Sequence, residues 1–173
     1  MVDRHEFSEA WLAFAITGSI SDFNPFMRFV ACWMAFNAEY SSDARGLNEW
    51  EAIKQFAVRE SLVQHHQQLL TNDTYSAAVN VIGATGVGSD RDGRRHRINS
   101  VEELDEVLRC VYQIRCNLIH GGKHPANIRD RELCEAAFIV MAFLLSRWRV
   151  GLIPPIEHVT VRAVHAGPSP DAV

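Results

Sequence analysis

The stretch SVEELDEVLRCVYQIRCNLIHGG, Ser100 to Gly122, carries the periodicity that decides the fold. At about 100° per residue, Val101, Leu104, Val107, Leu108, Val111, Ile114 and Leu118 fall on one broad face. That is the pattern of an amphipathic helix laid on a core. Ser100 and Glu103 fit a capping box, and Glu102, Glu103 and Asp105 suit the positive end of the helix dipole, so the helix is expected to open at Ser100. Gly121-Gly122 should close it, because glycine takes the left-handed conformation that ends helices. Arg115 falls inside the apolar stripe, about 40° from its centre. A guanidinium there needs a carboxylate such as Glu39, a wet cleft or an anionic ligand. His120 is rotated well away from the stripe, beside two glycines that let a ligand or another chain come close.

Working outward, the same helical spacing recurs. Asp3 to Thr17 carries Phe7, Trp11, Phe14 and Ala15 and ends near Gly18. After Asn24-Pro25, a second helix is expected to run to about Tyr40, with Phe26, Phe29, Val30, Trp33, Phe36 and Tyr40 on one apolar face. Leu47 to Leu70 reads as one long helix or two shorter ones, and Asp73 to Ile82 as another. Gly83 to Asn99 changes character: it holds four glycines and four arginines, and is expected to be an exposed loop. Its run Arg91-Asp92-Gly93-Arg94-Arg95-His96-Arg97 is the dense basic patch of the chain. Beyond His124-Pro125 a last helix covers about Asn127 to Arg149, apolar around much of its circumference and therefore central or part of a subunit interface. The expected architecture is all-α, a helical bundle with a four-helix core and extra helices. Residues 1–150 form one domain, and 151–173 a tail with at most a short edge strand at His158 to Val164.

Composition narrows the function classes. With 173 residues, 47% hydrophobic and 22% charged, the chain is an ordinary globular domain. A net charge of −4 means that any nucleic acid must be attracted by a local patch against a mildly negative background. The start, Met1 to Phe7, lacks the basic-then-apolar order of a signal peptide, and the longest uncharged apolar run, Ala136 to Leu145, is about half of what a bilayer requires. Cys32, Cys110, Cys116 and Cys134 show no CxxC pairing and are expected to be reduced, mostly buried thiols in a cytoplasmic protein.

Several chemistries are weighed and set aside. Cys116, His120 and His124 recur at i, i+4 and i+8, but Gly121-Gly122 and Pro125 break the helix and no fourth ligand has suitable spacing, so no metal site is expected. His65-His66 sits among Gln64, Gln67 and Gln68 and reads as solvated surface. No G-x-S-x-G nucleophile signature occurs, and the Gly83–Gly88 stretch lacks the Gly-Lys-Ser/Thr ending of a phosphate loop. Residue chemistry alone leaves Arg115 and His120 open between two roles: favourable charges at a helix C-terminus, or two groups that face one phosphate, with Asn117 between them able to donate and accept.

Arg115-Cys116-Asn117-Leu118-Ile119-His120-Gly121-Gly122-Lys123 resembles the signature of the HEPN superfamily, an Arg followed after four to six residues by His. Phe29 to Tyr40, with Trp33 and Asn37, is similar to an early helix of such proteins, and Leu133 to Trp148 sits where the family has a hydrophobic helix. The resemblance covers roughly residues 24–149. One departure is that Cys116 directly follows Arg115, where many HEPN ribonucleases carry Asn, Asp or His. The resemblance implies a helical homodimer that cuts RNA without metal or other cofactor at a composite site. His120 would be general acid or base, Arg115 would hold the scissile phosphate, and Asn117 would orient one of them. The product would be a 2′,3′-cyclic phosphate. Asn37 is either a satisfied core amide or a support for Arg115 or His120, while Arg94, Arg95, Arg97 and Lys123 would gather RNA phosphates. An antitoxin or other protein partner fits the same resemblance. The rival expectation is a non-catalytic helical dimer that binds a nucleotide or a protein.

Overall fold

The computed structural model describes residues 4–17, 25–41, 44–89, 93–124 and 127–146. Among these residues the chain forms α1 (Arg4–Thr17), α2 (Pro25–Tyr40), α3 (Glu49–Ala57), α4 (Glu60–Leu69), α5 (Asp73–Thr85), α6 (Leu104–Ile119) and α7 (Ile128–Ser146). A hairpin of β1 (Val87–Gly88) and β2 (Arg95–His96) stands between α5 and α6. The protein is thus mostly helical, as the periodicity implied. The tail, with the edge strand expected at His158 to Val164, and the helix end at Trp148 and Arg149 lie outside the described residues. So do the side chains of Phe7, Trp11 and Phe14 and the whole of Arg91.

Local chemistry explains where the helices begin. Asn48 caps α3 by accepting from the Glu51 amide, and Asn72 caps α5 by accepting from the Tyr75 amide. Each such cap is worth about 1 kcal/mol. The span from Leu47 to Leu70 resolves into two helices, parted at Val58 and Arg59.

The core is centred on α7, which packs most extensively on α2 and α5 and also meets α1, α4 and α6. From Leu133 to Leu145 it is buried all round except at Glu135 and Phe143. Its apolar circumference is therefore accounted for within the chain, because neighbours lie on every side. On α2 the aromatic rings interlock edge-on: Trp33 meets Phe36 with centroids 5.4 Å apart, and Phe36 meets Phe56 of α3 at 5.4 Å. Truncating a fully buried ring such as Phe36 removes that packing at a cost of roughly 3–5 kcal/mol.

Three expectations need correction. First, α6 opens at Leu104, with Glu103 as its cap and no side-chain capping bond. Ser100 and Glu103 instead close a turn, Glu103 N–H to Ser100 carbonyl at 3.1 Å, and the Ser100 hydroxyl donates to Glu102. Glu106, in the first turn, reaches back to accept from the amides of Asn99 and Ser100 and from the Asn99 side chain. These bonds, the side-chain one first, hold its carboxyl below the usual carboxylate range. A carboxylate at a greater distance than the capping box demands has captured those donors.

Second, the glycine- and arginine-rich stretch is not a plain exposed loop. α5 runs to Thr85, and the chain then turns into the hairpin, in antiparallel register Val87 with His96 and Gly88 with Arg95. Val87 and Ser89 are buried. The turn into the hairpin depends on Gly86: its φ is +65°, and a Cβ there would come within 2.5 Å of the His96 carbonyl oxygen. No other residue fits that position without displacing backbone.

Third, His66 is fully buried rather than solvated. Gln64, Gln67 and Gln68 do face water, but Leu62 and His66, four apart, share the opposite face of α4. Its Nε2 donates to the Val101 carbonyl at 2.8 Å, which leaves Nδ1 to accept from the Tyr75 hydroxyl at 2.7 Å. Burial lowers its pKa, and the imidazole joins α4, α5 and the segment before α6 as a neutral link.

Candidate functional site

Arg115 emerges from α6 into a half-buried setting built by α2 and α3. Its Nη1 donates to Glu49 Oε2 at 3.2 Å, with 26% of the arginine side chain and 31% of the glutamate exposed. The guanidinium lies over the Trp33 ring, 5.5 Å from the centroid. Its Nε is buried and makes no hydrogen bond. The carboxylate partner is thus Glu49 of α3 rather than Glu39, which is buried on α2. Stacking on an indole and pairing with a half-exposed carboxylate are each worth about 0.5–1 kcal/mol, enough to orient the group without saturating its five donors.

Glu49 is shared. Its Oε1 accepts from the Tyr40 hydroxyl at 2.8 Å while Oε2 holds Arg115. Burial first, and then the neighbouring Glu49 carboxylate, drive the Tyr40 hydroxyl far above its usual range, so it remains a donor. Beside this group, Trp33, Tyr112 and Trp50 form a tilted stack, with centroids 6.1 and 5.8 Å apart, and the Arg109 guanidinium lies over the Trp50 ring, 5.2 Å from its centroid. Burial and a hydrogen bond with Cys116 push the Tyr112 hydroxyl up to about 12. Cys116 is the one partly exposed thiol of the four; Cys32, Cys110 and Cys134 are buried and free, as expected.

His120 is the C-cap of α6 and is solvent-exposed. The helix ends there in a Schellman motif. Gly122 N–H bonds the Asn117 carbonyl at 2.7 Å, and Gly121 N–H bonds Leu118 at 3.3 Å. Gly121 has a φ of +80°, the left-handed value this motif requires. The chain beyond is pinned by Asp130 of α7. Its carboxylate accepts from Lys123 Nζ at 2.7 Å and from the His124 amide at 3.0 Å, and the Asp130 amide bonds the Asn127 side chain. The imidazole of His120 itself makes no hydrogen bond among the described residues, so it is held by backbone alone and faces water.

The remaining sequence-derived candidates divide. Asn117 is buried and wholly engaged inside the chain: its amide nitrogen donates to the Gly88 carbonyl at 2.6 Å, and its oxygen accepts from Gln113 at 2.6 Å. It ties α6 to β1 instead of lying open between Arg115 and His120. Lys123, with only 8% of its side chain exposed, is committed to Asp130 and presents no outward charge. Arg94, Arg95 and Arg97 are exposed on and beside the hairpin, and Asn117 holds that hairpin against α6. Asn37 is half-buried on α2, one turn from Trp33. Arg115 and His120 lie five residues apart, about 140° around α6. The first turns to α2 and α3, and the second stands at the helix end.

Sequence reasoning missed Glu49 and Tyr40. Glu49 and Arg115 are 66 positions apart, and no local periodicity reports such a pairing. The available signal was chemical: a cation in an apolar stripe demands an anion, and Glu49 lies in the first turn of the helix that packs on α6. Among the described residues no group of three or more His, Cys, Asp or Glu side chains is placed to hold a metal, and no helix is long and apolar enough to cross a membrane. Comparisons with protein-family models, with curated proteins and with solved structures found no match.

Proposed function

We propose that the protein is a metal-independent endoribonuclease of the HEPN type, acting as a homodimer. The observation that carries this reading is the pairing on one helix of an oriented but unsaturated arginine with an exposed histidine at a glycine-closed end. In the reaction, the ribose 2′-hydroxyl attacks the adjacent phosphorus and the 5′-oxygen leaves, giving a 2′,3′-cyclic phosphate and a 5′-hydroxyl. His120 serves as the general acid or base, a role suited to an exposed imidazole, which can both take up and give a proton. Arg115 holds the phosphate and stabilises its growing charge. The exposed arginines of the hairpin draw the RNA backbone in, and Asn117 keeps that hairpin in register with α6.

The two groups lie about 140° apart on the helix, so they meet one phosphate at a groove or across a subunit boundary. The angle favours the second arrangement, in which Arg115 of one protomer faces His120 of the other. Mixing Arg115→Ala and His120→Ala proteins, each inactive alone, tests this. Subunit exchange is expected to restore cleavage, since one of the two sites in each heterodimer is intact. A mixture as inactive as its components excludes the shared site.

A second reading is a helical dimer that binds a nucleotide or a protein without cleaving RNA. The observation favouring it is that Asn117 is consumed within the fold and Arg115 already has a carboxylate. It requires saturable ligand binding that Arg115→Ala abolishes, with intact RNA throughout.

A further inference from the structure

Glu49 deserves a role of its own. It stands in the first turn of α3, and its two oxygens divide between the Tyr40 hydroxyl at 2.8 Å and Arg115 Nη1 at 3.2 Å. Two properties of the arginine bear on what this carboxylate does. The guanidinium lies over the Trp33 ring, 5.5 Å from its centroid, so its position is set by the ring as well as by the ion pair. It is also underused, with one hydrogen bond from Nη1 and none from the buried Nε. A carboxylate and a phosphate offer the same acceptor geometry to a guanidinium fork. Glu49 therefore sits where an incoming phosphate oxygen would bond, and it carries the same sign of charge.

We infer that Glu49 is an internal competitor for the phosphate, a positioning residue that keeps Arg115 aimed while the site is empty and must yield when RNA binds. This rests on the ribonuclease reading for the identity of the anion, though not for the competition itself. Tyr40 supplies the place to yield to. Its hydroxyl remains protonated and keeps hold of Oε1, so Oε2 can leave Arg115 while the carboxylate retains a donor. A half-exposed pair of this kind is weak enough for a phosphate to displace, and an unopposed cation would attract anions without selection.

The test uses an oligoribonucleotide with 2′-O-methyl sugars, which has no free 2′-hydroxyl and so cannot be cut, alongside inorganic phosphate. Glu49→Gln keeps the shape and the hydrogen-bond acceptor but removes the charge. It is expected to bind both probes roughly three- to tenfold more tightly than wild type. Glu49→Asp, which draws the charge back by one methylene, should show a smaller gain. The gain should vanish in Glu49→Gln combined with Arg115→Ala. Unchanged or weaker binding by Glu49→Gln overturns the inference, as does a gain that survives loss of Arg115. If the gain appears but wild type cleaves no RNA, the ribonuclease reading fails and the competition stands. If wild type cleaves RNA and the gain is absent, the reverse holds.

Discussion

His66 and His120 are the same side chain in opposite circumstances. His66 is enclosed, and both ring nitrogens are used, one by Val101 and one by Tyr75. His120 is exposed and its ring makes no hydrogen bond among the described residues, although the backbone beneath it is tightly held by the Schellman turn. A histidine that spends both nitrogens inside the chain works for stability. One that spends neither, on a fixed backbone, is free for chemistry. Residue type does not separate the two cases; the partners do.

The strongest way to break this comparison is to delete each ring. His66→Ala is expected to cost roughly 2–4 kcal/mol, since it empties a buried site and strands a hydroxyl and a carbonyl. His120→Ala should change stability by no more than about 0.5 kcal/mol, as exposed substitutions usually do. Urea titration of both variants decides it; equal losses would erase the distinction. Next in size is Tyr75→Phe, which leaves Nδ1 of His66 an unpaired buried acceptor. A loss of about 1–2 kcal/mol in the same titration is the expected outcome. Gly121→Ala probes the other histidine through its support. Forcing a Cβ into a left-handed residue should cost about 1 kcal/mol, visible as a lower melting temperature, and should lower cleavage by displacing His120.

The subtlest effect is that of pH. Burial depresses the folded-state pKa of His66 below its ordinary 6.5. Below about pH 6.5 the unfolded chain takes up a proton that the folded protein refuses, so stability falls with pH down to the depressed folded pKa and then levels off. Above that range His66 contributes no slope. Melting temperatures followed from pH 7.5 downward should show this fall in wild type, and a shallower one in His66→Gln.

The helices were legible in the sequence because their signals are local. Asn24-Pro25, the repeats of Phe and Trp from Phe26 to Tyr40, and Gly121-Gly122 each act within a turn or two. His66 was hidden for a related reason. The glutamines around it reported their own face of α4, and the partners that bury the imidazole come from α5 and from Val101, 35 residues away. Arg115 was recognisable as a cation needing an anion, yet the choice of Glu49 over Glu39 depends on how α3 docks on α6, which no spacing encodes. The hairpin escaped notice because its strands are two residues each, with Val87 alone of the four buried, in a stretch rich in glycine, arginine and aspartate. Asn117 looked like a ligand-facing amide until its bond to Gly88 set its direction.

The central claim is that the exposed histidine performs the chemistry while the buried one does not. The direct measurement is RNA cleavage in EDTA by wild type, His120→Ala and His66→Gln at equal concentrations of folded protein. Wild type and His66→Gln should cut at similar rates and yield 2′,3′-cyclic ends, and His120→Ala should be slower by at least about a hundredfold. Cleavage by His120→Ala at the wild-type rate, or wild-type cleavage abolished by EDTA, would contradict the account.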